Sequence, residues 1–110
     1  GKFSAITYDV NKIKWNEKSM IYNAHHTEQE EKVHMVINTS CEHMNNTWFE
    51  NLPEGAFVVL HTNDYFDNPQ HSNCCKDIEE AKSKYPMQSI MYEGNLDTEL
   101  YNRFMLIGIK

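Results

Sequence analysis

The stretch His71-Ser72-Asn73-Cys74-Cys75 gathers the most reactive groups in the sequence, an imidazole three residues ahead of two adjacent thiols. It falls where a polar loop enters a predicted helix. A helix N-terminus stabilises thiolate and a neighbouring histidine can accept the proton, so the pattern suits a nucleophilic or redox cysteine. A cysteine-dependent enzyme or redox protein using Cys74 or Cys75 with His71 is therefore one functional class. The competing reading has one thiol facing the core as a small apolar group and His71 solvated in its loop. No catalytic signature surrounds the pair, so that reading is preferred and no catalytic residue is assigned.

Thiolate and imidazole are also the preferred ligands of zinc, and His71-x2-Cys74 could combine with Cys41-x-His43 in a tetrahedral site. The expected helix over this segment argues against it. Residues two apart on a helix point about 200° apart, so Cys41 and His43 could not hold one ion. Asn63, Asp64, Asp67 and Asn68 offer oxygens to a hard cation but match no EF-hand spacing, and these residue types are the usual ones in turns. His25, His26, His34 and His61 read as scattered surface or half-buried side chains. Neither a metal nor a cofactor is expected.

Elements that would position these groups follow from periodicity. Ile6, Tyr8 and Val10 alternate along Phe3–Val10, the signature of a half-buried strand, and Ile13, Trp15 and Met20–Tyr22 predict one or two further antiparallel strands. Thr27 with Glu30 forms a capping box. Val33, Ile37, Ser40, Cys41, Met44, Trp48 and Leu52 then recur at spacings of three and four, predicting a long helix with a break near Asn45. A short strand over Val33–Asn38 is the competing reading, because VHMVIN is β-branched and the Asn-, Ser- and Thr-rich runs after it are poor helix formers. Pro53-Glu54-Gly55 predicts a turn, and Ala56–Thr62 is apolar enough for a central strand. Asp77 with Glu80 starts a short helix that Pro86 ends, and two strands flanking Gly94-Asn95 close the chain. The expected fold is α+β, a single mostly antiparallel sheet with one long and one short helix packed on it, forming one domain over residues 1–110.

The chain has 110 residues, 40% of them hydrophobic, with aromatics spread from Phe3 to Phe104. That size and apolar content can bury a core without disulfides or metal. Sixteen acidic against ten basic residues give a net charge of −6, which argues against nucleic acid as a partner, since that affinity rests on clustered Lys and Arg. Three cysteines, two of them adjacent, do not make a small disulfide framework and point to a reducing, cytoplasmic setting. The sequons at Asn38 and Asn45 are discounted in a chain with twelve asparagines. No apolar run is long enough for a membrane span, and no signal-peptide pattern opens the sequence, although Gly1 is compatible with a preceding segment.

With no catalytic set, the leading expectation is a non-enzymatic protein-binding module. Short, acidic, asparagine-rich chains of this kind occur among phage and mobile-element accessory proteins that bind and inhibit a host protein. The expected binding surface is the loop after the central strand, with Tyr65 and Phe66 as anchors and Asn63, Asp64 and Asp67 as polar groups, because loops on rigid strands are where binding residues concentrate. A third reading is a small-ligand sensor with a pocket between the sheet and the long helix.

Overall fold

The structure, a computed structural model, describes residues 3–110, so the reading of Gly1 lies outside it. Two sheets replace the single sheet expected. Lys14–Asn16 (β1), Ser19–Ala24 (β2) and Thr27–Lys32 (β3) form an antiparallel three-stranded sheet. Val36–Asn38 (β4), Phe57–Asn63 (β5), Ser89–Asp97 (β6) and Asn102–Ile109 (β7) form the second, in the order β4-β5-β7-β6. All pairings are antiparallel except β4 with β5, which run parallel. The α+β class stands; the single-sheet architecture does not.

The long helix is absent. Its first turn is strand β3, joined to β2 by the two-residue loop His25-His26, both with positive φ (53° and 63°) as a type I′ hairpin turn requires. Beyond it the chain makes β4, a 3₁₀ turn over Cys41–His43, and Thr47–Glu50 (α1), a helix of four residues. Val33, Val36 and Ile37 lose side-chain freedom in a helix, and the Asn, Ser and Thr side chains that follow compete for the backbone's own hydrogen bonds. Asn38 Oδ1 accepts from the Ser40 amide at 2.9 Å and Asn45 Oδ1 from the Thr47 amide at 3.1 Å, each closing a local turn in place of a helical one. The predicted stripe still marks the core. Cys41, Trp48 and Leu52 are buried, although three separate short pieces deliver them.

Phe3–Val10 likewise forms no strand, and Phe3 and Ile6 are exposed. Among the described residues this segment pairs with no strand. Tyr8 packs edge-on against Tyr22 at 6.1 Å, and a 3₁₀ turn follows over Val10–Lys12. The predicted short helix is present as Ile78–Lys84 (α2), with Asp77 Oδ1 accepting from the Glu80 amide at 2.8 Å. Gly94-Asn95 lies inside β6, and the β6–β7 connection runs through Thr98–Tyr101, closed by Thr98 and Tyr101 bonding each other's backbone.

Both helices pack on one face of the four-stranded sheet. Val58 and Leu60 of β5 with Phe104 and Leu106 of β7 meet Trp48, Phe49, Leu52, Ala81 and Tyr85 in one core cluster. Central placement of β5, expected from its apolar run, is what the register shows.

The hairpin loop gives a first prediction. Non-glycine residues at positive φ are strained, and Asn-Gly is the pair that a type I′ turn accommodates best. Replacing His25→Asn together with His26→Gly should raise stability by about 1 kcal/mol, read as a higher urea midpoint at unchanged slope.

Candidate functional site

The loop that carries His71 lies at the end of the sheet where β5 leaves and β7 enters. The loop after β5 begins with Asn63, whose side-chain oxygen accepts from the Tyr65 amide at 3.1 Å and lies 3.5 Å from the Cys74 thiol. Asp64 grips the start of β7. Its carboxylate accepts from the Asn102 amide at 2.7 Å and from the Asn102 side chain at 3.0 Å, so it holds the loop in place. Tyr65 is wedged edge-on between Tyr101 (5.0 Å) and His71 (5.8 Å), while Phe66 is 60% exposed and Asp67 lies in solvent. At period two only one of the adjacent aromatics could turn inward, and Tyr65 is that one.

The loop returns to the sheet through the Cys75 amide, which donates to the Asn63 carbonyl at 2.9 Å. Asn73 ties it to the preceding segments. Its side-chain nitrogen donates to the Met44 carbonyl (2.9 Å) and Asn46 Oδ1 (2.7 Å), and its oxygen accepts from Lys84 Nζ at 3.0 Å.

All three thiols are buried and free, and each is held in its protonated form. Burial pushes Cys41 up to about 12, with the Glu42 carboxylate adding to the effect. Burial likewise raises Cys74, again reinforced by Glu42, and raises Cys75 against the opposing charge of Lys84. Cys74 precedes α2 by four residues, and its Sγ is 3.6 Å from His71 Nδ1. That nitrogen is also 2.9 Å from the Tyr65 carbonyl, to which it must donate. An imidazole nitrogen already carrying its proton is no base for the thiol, so the arrangement does not activate Cys74.

Of the four zinc ligands weighed from sequence, the structure brings His43 and His71 together, with rings 4.6 Å apart and edge-on. Cys41 turns the other way, fully buried, with its thiol 3.6 Å from the Asn38 carbonyl. The tight 3₁₀ turn thus splits Cys41 from its neighbours as a helix would. It also delivers a residue that sequence reasoning passed over. Glu42, the intervening residue of Cys41-x-His43, is buried, and its Oε1 lies 3.6 Å from His43 Nε2. The available signal was an acidic residue inside a candidate ligand pair. Asn68 lines the cleft beside this group, while nothing in the loop gathers Asn63, Asp64, Asp67 and Asn68 around one point.

A second region of interest is the far face of the four-stranded sheet. Ile37, Val59, Met105, Ile107, Tyr92 and Leu96 share this face by register, and among the described residues no helix covers it. Ile37 and Leu96 are 62% and 63% exposed. On the same face His61 accepts from the Arg103 guanidinium at 3.3 Å, and burial together with that cation pushes the imidazole pKa down. The pocket expected against a long helix has no such wall. A cleft of about 460 Å³ lies instead between the smaller sheet and α1, lined by Trp15, Met20, Trp48 and Leu52.

No family model, no curated protein and no solved structure matches this chain. No described helix is long and apolar enough to cross a membrane.

Proposed function

We propose that the protein is a binding module that takes up an extended segment of another protein along β6. One observation carries this reading: β6 is a nine-residue edge strand, regular from Tyr92 to Asp97 beyond a register shift at Met91, with its outer hydrogen-bonding groups unpaired among the described residues and Met91, Tyr92 and Leu96 more than half exposed. Such an edge is a template for strand addition, in which main-chain bonds supply affinity and alternate side chains supply selectivity. Its charge points to the occupant. β6 carries Asp97 and Glu93, the latter paired with Lys82 of α2 at 3.1 Å, and no basic residue of its own, within a chain of net charge −6, so a segment alternating apolar and basic residues is complementary. A second copy fits less well, because antiparallel pairing centred on β6 would set Glu93 against its own counterpart. Phe66 and Asp67 on the loop are a second contact region that a larger partner could use.

Selection from a randomised nine-residue peptide library tests the reading. Selected peptides should alternate apolar and basic residues and slow amide exchange along β6, and Leu96→Lys should weaken them while leaving the melting temperature unchanged. Protection confined to the loop, with loss of binding in Phe66→Ala, would transfer the site to Asn63–Asn73. A concentration-dependent dimer abolished by Leu96→Lys would make a second copy the occupant.

A further inference from the structure

We propose that Glu42, His43 and His71 form a binding site for one divalent ion of the zinc class. This goes beyond the strand-addition reading and does not rest on it. One ligand atom from each of the three side chains lies within 4.8 Å of the others. The Glu42 side chain is only 10% exposed, and its Oε2 is buried without any hydrogen-bond partner. A carboxylate oxygen removed from water and left unpaired is costly, so this geometry calls for a cation. Among the described residues no lysine or arginine reaches it within ion-pair distance, and its one basic neighbour, His43 Nε2 at 3.6 Å from Oε1, carries no charge as a neutral imidazole.

Each histidine keeps one ring nitrogen free for a ligand bond. His43 Nδ1 lies 3.1 Å from the Gln70 carbonyl and His71 Nδ1 lies 2.9 Å from the Tyr65 carbonyl. A carbonyl can only accept, so each Nδ1 carries the proton and each Nε2 keeps its lone pair. That outer hydrogen bond is the one metal-binding histidines use to fix their tautomer. The backbone reinforces the pairing, because the Ser72 and Asn73 amides both donate to the Glu42 carbonyl, at 2.9 and 3.0 Å, and hold the loop against the turn.

Two imidazole nitrogens and one carboxylate oxygen suit zinc, and three protein ligands leave a fourth position. A cleft of about 350 Å³, lined by Glu42, His71, Tyr65 and Arg103, gives that position access to water or to a small ligand. Ligands of a tetrahedral zinc stand about 3.4 Å apart, given bonds of about 2.0–2.1 Å, so binding draws the three side chains inward. His43, with its side chain 39% exposed, has room to turn.

Equilibrium dialysis of the full chain against Zn²⁺, kept reduced, counts the ion, and Co²⁺ substitution reports its coordination through visible ligand-field absorption. One ion per chain is expected, with a tetrahedral Co²⁺ spectrum. His43→Ala, His71→Ala and Glu42→Gln should each weaken Zn²⁺ binding by at least the roughly ten-fold that loss of an outer hydrogen bond costs. Cys74→Ser should not. His43→Ala is the decisive variant, since its exposed ring makes it the least disruptive, and an unchanged far-ultraviolet spectrum certifies its fold. Wild-type chain that takes up no Zn²⁺, or binding that survives His43→Ala, overturns the proposal.

Discussion

Tyr85→Ala should remove about 3–5 kcal/mol of folding stability, a large share of the roughly 5–15 kcal/mol a domain of this size possesses. Tyr85 ends α2 fully buried. Its ring stands edge-on to Phe49 at 5.5 Å and tilted against Trp48 at 6.0 Å, so it joins the two helices over the sheet. Truncation empties the centre of the cluster, and neighbours fixed on a sheet and two short helices have little freedom to collapse into the space. The hydroxyl contributes separately. It hydrogen-bonds the Cys41 thiol and lies 3.4 Å from the Asn73 side-chain nitrogen, whose two hydrogens already go to Met44 and Asn46, so Tyr85→Phe should cost no more than about 1 kcal/mol. Urea unfolding of the three proteins at constant slope checks both values, and an alanine variant within 1 kcal/mol of wild type would show that the ring is not central.

Stability should also fall steeply in alkali. Cys41 is raised from an ordinary 9.0 to about 12, and Cys74, Cys75 and Tyr85 are displaced upward too, with burial the first cause in each. A group whose pKa is raised by folding binds its proton more tightly in the native state. Its contribution is complete below the unfolded value and is lost as pH rises through the folded one. The window therefore opens near pH 9, and by pH 12 Cys41 alone withdraws on the order of 4 kcal/mol. Melting temperature measured against pH should be flat to about pH 8 and decline beyond it. Alkylation by iodoacetamide at neutral pH should proceed only at the rate of opening; a fast-reacting thiol in folded protein would contradict the burial described.

Two capping boxes in this chain show what was legible and what was not. Asp77 with Glu80 and Thr27 with Glu30 look alike in sequence, yet the first starts a helix and the second lies in a strand. The difference lies downstream. Glu79 to Lys84 are helix formers with Ile78, Ala81 and Tyr85 on one face, whereas Val33, Val36 and Ile37 are β-branched and His25-His26 can close a hairpin upstream. Propensity over the next turn outweighed the cap. Strands β5 and β7 and the short helix were readable because their patterns are long or sharply bounded. The partition into two sheets was not, since edge pairing depends on which strands are free and leaves no local mark. Phe3–Val10 shows the same limit, with three alternating apolar residues that join no sheet.

The candidate site was readable in part for a related reason. His43 and His71 were visible as chemistry, but their meeting depends on a 28-residue separation closed by the Glu42 backbone, and Glu42 itself matters through burial, which one acidic residue in a polar stretch does not announce. Asp64, expected among the polar groups of the binding loop, bolts that loop to Asn102.

The two sheets end in unlike borders. β3, an outer strand of the smaller sheet, carries Glu28, Glu30, Glu31 and Lys32 and is almost wholly solvated, a charged fringe that repels further pairing. β4, on the opposite border of the larger sheet, is only three residues long. β6 is thus the one long border with apolar side chains among the described strands. A strand arriving there would find no second long apolar border on the same molecule from which to continue, so growth stops after one addition. On the strand-addition function we propose, the molecule would have a valence of one, which favours a discrete complex over a fibre.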